Sequence, residues 1–359
     1  MELLIYLILF LLVLIVSSTT NKLLPFLPLP LVQILLGIVI GLFLPNTDFH
    51  LNTELFLALV IGPLLFRESE EADITAILKH WRIIIYLIFP VIFISTLSLG
   101  GLAHLLWLSL PLAACLAVGA ALGPTDLVAF ASLSERFSFP KRVSNILKGE
   151  GLLNDASGLV AFQVALTAWT TGAFSLGQAG SSLIFSILGG FLIGFLTAMT
   201  NRFLHSFLLS VRATDIASEL LLELSLPLVT FFLAEEVHVS GIIAVVVAGI
   251  LKASRFKKIT LLEAQVDTVT ETVWHTVNFM LNGSVFVVLG MELEMIAEPI
   301  LTNPIYNPLL LLLSLVALTF VLFAIRFVMI YGYYAYRTRR LKKKLNKYMK
   351  DMLLLTFSG

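Results

Sequence analysis

Apolar stretches follow one another along this chain with few polar interruptions, at residues 2–18, 24–44, 52–66, 83–108, 110–134, 146–171, 179–201, 216–234, 239–253, 275–291 and 306–335. As helices most of them reach across the roughly 30 Å hydrocarbon core of a bilayer, and a helix satisfies its own backbone groups there. The pattern predicts an all-α polytopic membrane protein with about eleven full spans and a twelfth begun at Asp351. Hydrophobic residues make up 58% and charged residues 13% of the 359 positions, with a mean hydropathy of +0.99. A water-soluble fold has nowhere to hide that much apolar surface. Met1 to Ser18 lacks the basic start and small-residue cleavage site of a signal peptide and reads as a retained helix.

Orientation follows from the 23 Lys and Arg residues, because cytoplasmic loops accumulate positive charge. On the span map, Lys22, Arg67, Lys79, Arg82, Arg136, Lys141, Arg142, Arg202 and Arg212 fall on one side. Lys252, Arg255, Lys257, Lys258 and the eight basic residues from Arg337 to Lys350 join them there. The loops Pro45 to Asn52 and Glu292 to Asn303, on the other side, hold none. The expected arrangement is a single transmembrane domain over 1–359 in the plasma membrane, N-terminus outside, with 337–350 read as an orientation-setting basic cytoplasmic loop in preference to a site for anionic lipid head groups. The segments Glu68 to Trp81 and Lys257 to Trp274 are amphipathic and are expected to lie along the cytoplasmic face before the next span. Net charge is zero and no long basic run precedes Arg337, so nucleic-acid binding has no electrostatic footprint. The single cysteine, Cys115, sits in an apolar segment and reads as packing.

An ionisable side chain at the bilayer centre costs about 2.5–3.5 kcal/mol even on the lenient insertion scale, so each one needs a reason. Two consecutive spans concentrate them. The fifth, LAVGAALGPTDLVAFASL, carries Asp126 midway; the sixth, ILKGEGLLNDASGLVAF, carries Lys148, Glu150, Asn154 and Asp155. Gly123-Pro124 ahead of Thr125-Asp126 predicts a broken helix, since proline removes a donor and clashes with the preceding turn. In a membrane such a break survives only against protein or a water-filled cavity. Its freed carbonyls, the Thr125 hydroxyl and the Asp126 carboxylate are hard oxygen donors of the kind that bind small cations. Gly151 lies one turn before Asp155 and leaves space beside it, while Glu150 and Asn154 share a face.

For Asn154 alone, fastening two helices is as good a reading as binding an ion. For Asp126 with Asp155, on adjacent helices beside a break, the binding reading is favoured. Glu150 and Arg326 are each prohibitive alone and tolerable as a hydrogen-bonded pair, so they are expected to be structural partners. Lys148, nearer the cytoplasmic end, can snorkel out. Glu219 and Glu223, one turn apart, fit either an entry path or interhelical bonding.

These motifs together resemble the monovalent cation/proton antiporter family that includes sodium/proton exchangers. GPTDLVA followed by LKGEGLLNDASGLVAF is similar to its paired fifth and sixth helices. GPLLF near residue 62, LAEEVHVSGIIAVVVAGI from Leu233, WHTVNFMLNGSVFVVLG from Trp274 and the intramembrane Arg326 extend the likeness along the chain in the family's order. The resemblance implies an inverted-repeat homodimeric transporter with broken crossing helices, its core helices around 110–171 and 275–335. It implies that Asp155 is the carboxylate for the transported ion and Asn154 its neighbour. Thr125 and Asp126 would belong to the unwound crossing helix, and Glu150 with Arg326 would be the buried pair. Asn rather than Asp before the carboxylate resembles the branch with electroneutral exchange. Three positions depart from common family residues: Leu127 for proline, Gly151 for serine and Arg67 for glutamate, which leaves Na+, Li+ and K+ open as the cation. The second crossing helix is begun at 351–359, and the resemblance calls for it to continue.

The implied chemistry is exchange of a proton for Na+, or for Li+ or K+, at one carboxylate by alternating access. No cofactor is expected, since no Gly-rich phosphate loop and no His/Cys ligand cluster is present. An intramembrane aspartyl protease also sets two aspartates on neighbouring helices, but Gly123-Pro124-Thr125-Asp126 lacks the glycine-flanked aspartate of such enzymes. A truncated, non-transporting or channel-like or regulatory membrane protein of the same fold is the other alternative, and cation-driven proton movement in vesicles separates both from transport.

Overall fold

The computed structural model describes residues 2–24, 26–43, 52–125, 139–171, 176–211, 215–253, 261–302, 307–341 and 348–357. Every regular element among them is helical. In chain order these are α1 (Glu2–Leu23), α2 (Leu29–Phe43), α3 (Thr53–Phe56), α4 (Gly62–Glu71), α5 (Ile74–Leu78), α6 (Trp81–Tyr86), α7 (Ile92–Leu106) and α8 (Leu112–Leu122). They continue with α9 (Lys141–Thr171), α10 (Leu176–Ser210), α11 (Ile216–Glu236), α12 (Gly241–Ala253), α13 (Leu261–Thr302), α14 (Pro308–Leu341) and α15 (Met349–Phe357). Among the described residues, Trp81–Leu106, Ile184–Ser210, Ile216–Glu236, Thr268–Ala297 and Pro308–Arg340 are long and apolar enough to cross a membrane. The chain divides into two compact units, one of Met1–Glu71 with Ser186–Tyr306, the other of Ala72–Phe185 with Asn307–Gly359.

In the first unit, α2 and α13 cross at Gly37 and Gly290. A Cβ on Gly37 would overlap the Val287 carbonyl oxygen, and one on Gly290 the Ile34 carbonyl oxygen. Small residues at a crossing let two backbones touch, which is how helices gain packing where lipid offers no hydrophobic drive. This contact draws residues 275–302 of α13 into the first unit, whereas the expected core joined 275–335 to 110–171. The expected surface segment ending at Trp274 also comes out differently. From Leu261 it is continuous with the following span in one helix of 42 residues, about 63 Å long at 1.5 Å per residue. Trp274 is 1% exposed, its ring centroid 6.2 Å from that of Phe66.

The end of α11 shows a local rule broken. His238 N–H donates to the Glu235 carbonyl and Val239 N–H to the Ala234 carbonyl, at 2.9 and 3.0 Å. That pattern is a Schellman C-cap, which puts His238 in the left-handed region where glycine is favoured. Its φ is 58°. We expect His238→Gly to raise stability by about 0.5–1 kcal/mol, the relief of a left-handed side chain less the chain entropy glycine adds. Thermal unfolding of the solubilised protein checks this, with His238→Val moving the midpoint the opposite way.

In the second unit, Pro90 cannot donate to the turn before it, and the helix absorbs the defect in a π-turn, Leu87–Val91, joining α6 to α7. Helices α7 and α8 meet at Gly100 and Gly119, where a Cβ on Gly119 would overlap the Thr96 carbonyl oxygen. The core gathers Ile83, Leu87, Ile146, Ile330, Met352 and Leu355, each at most 1% exposed. Cys115 is fully buried and free. Within the amphipathic stretch Glu68 to Trp81, α4 continues to Glu71 and the short α5 begins at its cap, Asp73, which accepts Ala76 N–H at 3.0 Å.

Candidate ion-binding site

Helix α8 stops at Leu122 with Gly123 as its cap, still in right-handed helical geometry, and Pro124 and Thr125 lie beyond the helix. The cause is the missing Pro124 donor, as read from the sequence. Helix α9, with no proline, runs alongside unbroken for 31 residues. Asn154 is fully buried on α9, and its Nδ2 donates to the Thr125 hydroxyl oxygen at 3.1 Å. Its backbone carbonyl accepts from the Ser157 hydroxyl at 2.8 Å. One turn on, Gly158 receives the Pro124 ring, and a Cβ at Gly158 would overlap Pro124 Cγ.

The Asn154 side-chain oxygen is buried and, among the described residues, has no hydrogen-bond partner. Such an orphan costs about 1–3 kcal/mol, and it lies in the same amide that reaches the Thr125 hydroxyl. Asp155 is the next residue of α9, about 100° round the helix from Asn154. Asp126 and Leu127 lie outside the described residues, as does the side chain of Asp155. Gly151 is buried.

One turn before Asn154, Glu150 is fully buried and meets Arg326 of α14, itself 4% exposed. Arg326 Nη2 lies 2.8 Å from each carboxylate oxygen, and its Nε donates to the Leu355 carbonyl at 3.0 Å. One guanidinium thus ties α9, α14 and α15 together next to the broken helix. Lys148 is exposed.

Elsewhere the first unit holds polar contacts that the sequence reading left open or missed. Glu223 accepts from Trp274 Nε1 at 3.1 Å and lies 2.7 Å from Lys252 Nζ, which is also 3.3 Å from Glu70. Arg67 is neutralised by Glu70 and Glu71 at 3.0 and 2.7 Å. Glu219 faces His205 Nδ1 at 2.6 Å. Thr197, Asn201 and His205, four residues apart on α10, contact Thr230, the Leu222 carbonyl and Glu219 of α11 in turn. That four-residue spacing of polar side chains in an apolar helix was the available signal. Both glutamates make interhelical bonds. Among the described residues, no cluster of three or more His, Cys, Asp or Glu is placed to hold a metal ion.

A sequence model of the transmembrane sodium/hydrogen exchanger family matches residues 7–356. The chain belongs to the sodium/hydrogen exchanger family. Among its relatives in the family, a "sodium, potassium, lithium and rubidium/H(+) antiporter" of Bacillus pumilus is 35% identical over 98% of this chain and 53% of its own length. The protein of that name from Bacillus subtilis is 36% identical over 87% of this chain and 47% of its own. The chain thus spans about half the length of these exchangers. In fold it is similar to the sodium proton antiporter MjNhaP1 of Methanocaldococcus jannaschii, with a TM-score of 0.72, 18% identity, and coverage of 99% of this chain and 82% of that one.

The seat of Pro124 on Gly158 gives a test of the local geometry. Gly158→Ala forces a rigid ring to move, and overpacking of this kind costs about 1–3 kcal/mol. We expect a lower thermal midpoint and a larger fractional loss of exchange than of folded protein, because Thr125 follows Pro124 directly. Unchanged stability and exchange would contradict the packing described here.

Proposed function

We propose that this protein exchanges protons for a monovalent cation, Na+ or its relatives Li+ and K+, electroneutrally and by alternating access. The observation that carries the proposal is the buried side-chain amide of Asn154, bonded to Thr125 at a helix break, adjacent in sequence to Asp155 and with its oxygen unpartnered among the described residues. In this reading Asp155 carries the proton or the cation, Asn154 and Thr125 offer neutral oxygens, and Asp126 lines the same site from the broken helix. Hard oxygen donors in this mixture suit an alkali cation. The names of the Bacillus relatives support a cation range wider than Na+.

A cation entering the site displaces the proton from the carboxyl group, and the proton returns when the site faces the other side. The empty site is an uncompensated anion at hydrocarbon depth, and the cost of carrying it across suppresses leak. Glu150 and Arg326 hold the scaffold of the site as a buried ion pair. The protein is proposed to sit in the plasma membrane as a homodimer, with about eleven spans, a second crossing helix from Asp351 and its N-terminus outside.

The test is exchange by the full-length protein in proteoliposomes with an internal pH dye and a potential clamped by an ionophore for an ion that is not a substrate. Adding Na+, Li+ or K+ outside is expected to drive proton efflux at a rate independent of potential. At about 2.3 kcal/mol per charge per 100 mV, one uncompensated charge would show as a clear voltage dependence. A voltage-dependent rate would overturn electroneutrality, and cation current without proton movement would replace the antiporter with a channel.

A further inference from the structure

Basic residues from three separate stretches of sequence meet at one end of the second unit. Arg142, near the start of α9, stacks over the rings of Tyr334 and Tyr348 at 5.6 and 5.1 Å. Its Nη2 donates to the Tyr334 hydroxyl at 3.3 Å. Arg337, one turn beyond Tyr334 on α14, is exposed, as are Arg339 and Arg340. Lys79 and Lys141 are exposed as well. Burial, followed by the positive charges of Arg142, Arg337 and Lys79, holds the His80 imidazole below its ordinary range, so this histidine stays neutral among them.

Among the described residues, acidic compensation is thin. Asp351 lies 3.5 Å from Arg142, and Asp73 is engaged as the cap of α5, accepting from Ala76 N–H and the Thr75 hydroxyl. The aromatic residues nearby set the level of this surface. Trp81 is 50% exposed and Tyr336 68% exposed, and Arg82 lies 5.5 Å over the Trp81 ring. Trp and Tyr with an apolar body and a polar tip settle at the headgroup layer of a bilayer. A basic surface held at that layer faces lipid phosphates before it faces any soluble anion.

We propose that Lys79, Lys141, Arg337, Arg339 and Arg340 form a binding surface for the phosphate-bearing head groups of anionic phospholipids in the adjoining leaflet. Arg142, clamped between two tyrosine rings, keeps α9 and α14 in register beneath it. The surface is independent of the transport site, so its test reads lipid affinity and leaves exchange aside.

The full-length protein is solubilised, incubated with phosphatidylglycerol or phosphatidylcholine, and the retained lipid is counted by native mass spectrometry across a concentration series. Each cation near an anionic surface contributes a factor of about five, so Arg337→Gln/Arg339→Gln/Arg340→Gln weakens phosphatidylglycerol retention roughly a hundredfold. Lys79→Gln/Lys141→Gln weakens it roughly twentyfold and guards against misfolding of the triple variant. Phosphatidylcholine retention stays unchanged in both. Equal retention of the two lipids by the unaltered protein, or unchanged affinity in both well-folded variants, overturns the proposal. Displacement of phosphatidylglycerol by millimolar inorganic phosphate would assign the surface to a soluble anion and overturn the lipid reading.

Discussion

Asp155→Asn is expected to reduce cation-dependent proton movement to that of protein-free vesicles while leaving the protein folded and inserted. An amide is nearly isosteric with the carboxyl group and still offers an oxygen, so the packing of α9 is preserved. It cannot bind or release a proton, and it carries no charge to hold a cation against water. Asn154 and Thr125, bonded at 3.1 Å in the unaltered protein, are left untouched by the substitution, but neutral donors alone cannot couple two ions. Retained cation-driven proton flux in reconstituted vesicles would remove Asp155 from the role assigned to it. Asp126, beside the break at Pro124, would then be the carboxylate on which to rebuild the account.

Glu150→Ala is expected to destabilise the protein by about 3–5 kcal/mol, the range for breaking one partner out of a buried ion pair. Arg326 is 4% exposed and cannot shed its charge, so removal of Glu150 strands a cation in the core. Replacing both, as Glu150→Gln with Arg326→Leu, removes the stranded charge and should do less harm than Glu150→Ala alone. It does not restore full stability, because the Leu355 carbonyl loses the Arg326 Nε donor at 3.0 Å and an unpaired buried acceptor costs about 1–3 kcal/mol. Thermal unfolding of the solubilised Glu150→Ala, Glu150→Gln, Arg326→Leu and double variants measures this. A double variant as damaged as the sum of its singles would mean that the pair contributes nothing as a pair.

Some of this was legible from residue chemistry alone. The cost of a buried charge made Glu150 and Arg326 seek each other across 176 positions of sequence, and Pro124 marked the end of α8 because its missing donor acts locally. Hydropathy located the apolar segments and the motifs named the family. What stayed hidden depends on packing. Nothing in the composition of α13 says that Gly290 touches the backbone at Ile34, yet that contact assigns α13 to the first unit. Nor does amphipathicity distinguish a surface segment from the first part of a 42-residue helix. Glu219 and Glu223 read equally well as path or fastener until His205, Lys252 and Trp274 were beside them. Gly158 drew no notice because a glycine's value lies in what approaches it.

The central claim is that a proton and a monovalent cation compete for one carboxylate on α9. Binding of Na+ to the solubilised full-length protein tests it most directly, by calorimetry at several pH values in buffers of different ionisation enthalpy. The account predicts one proton released for each Na+ bound when the site starts protonated, with apparent affinity falling about tenfold for each pH unit below the pKa of the site. It also predicts that both binding and release vanish in Asp155→Asn. Na+ binding with no proton release and no change of affinity with pH would contradict it.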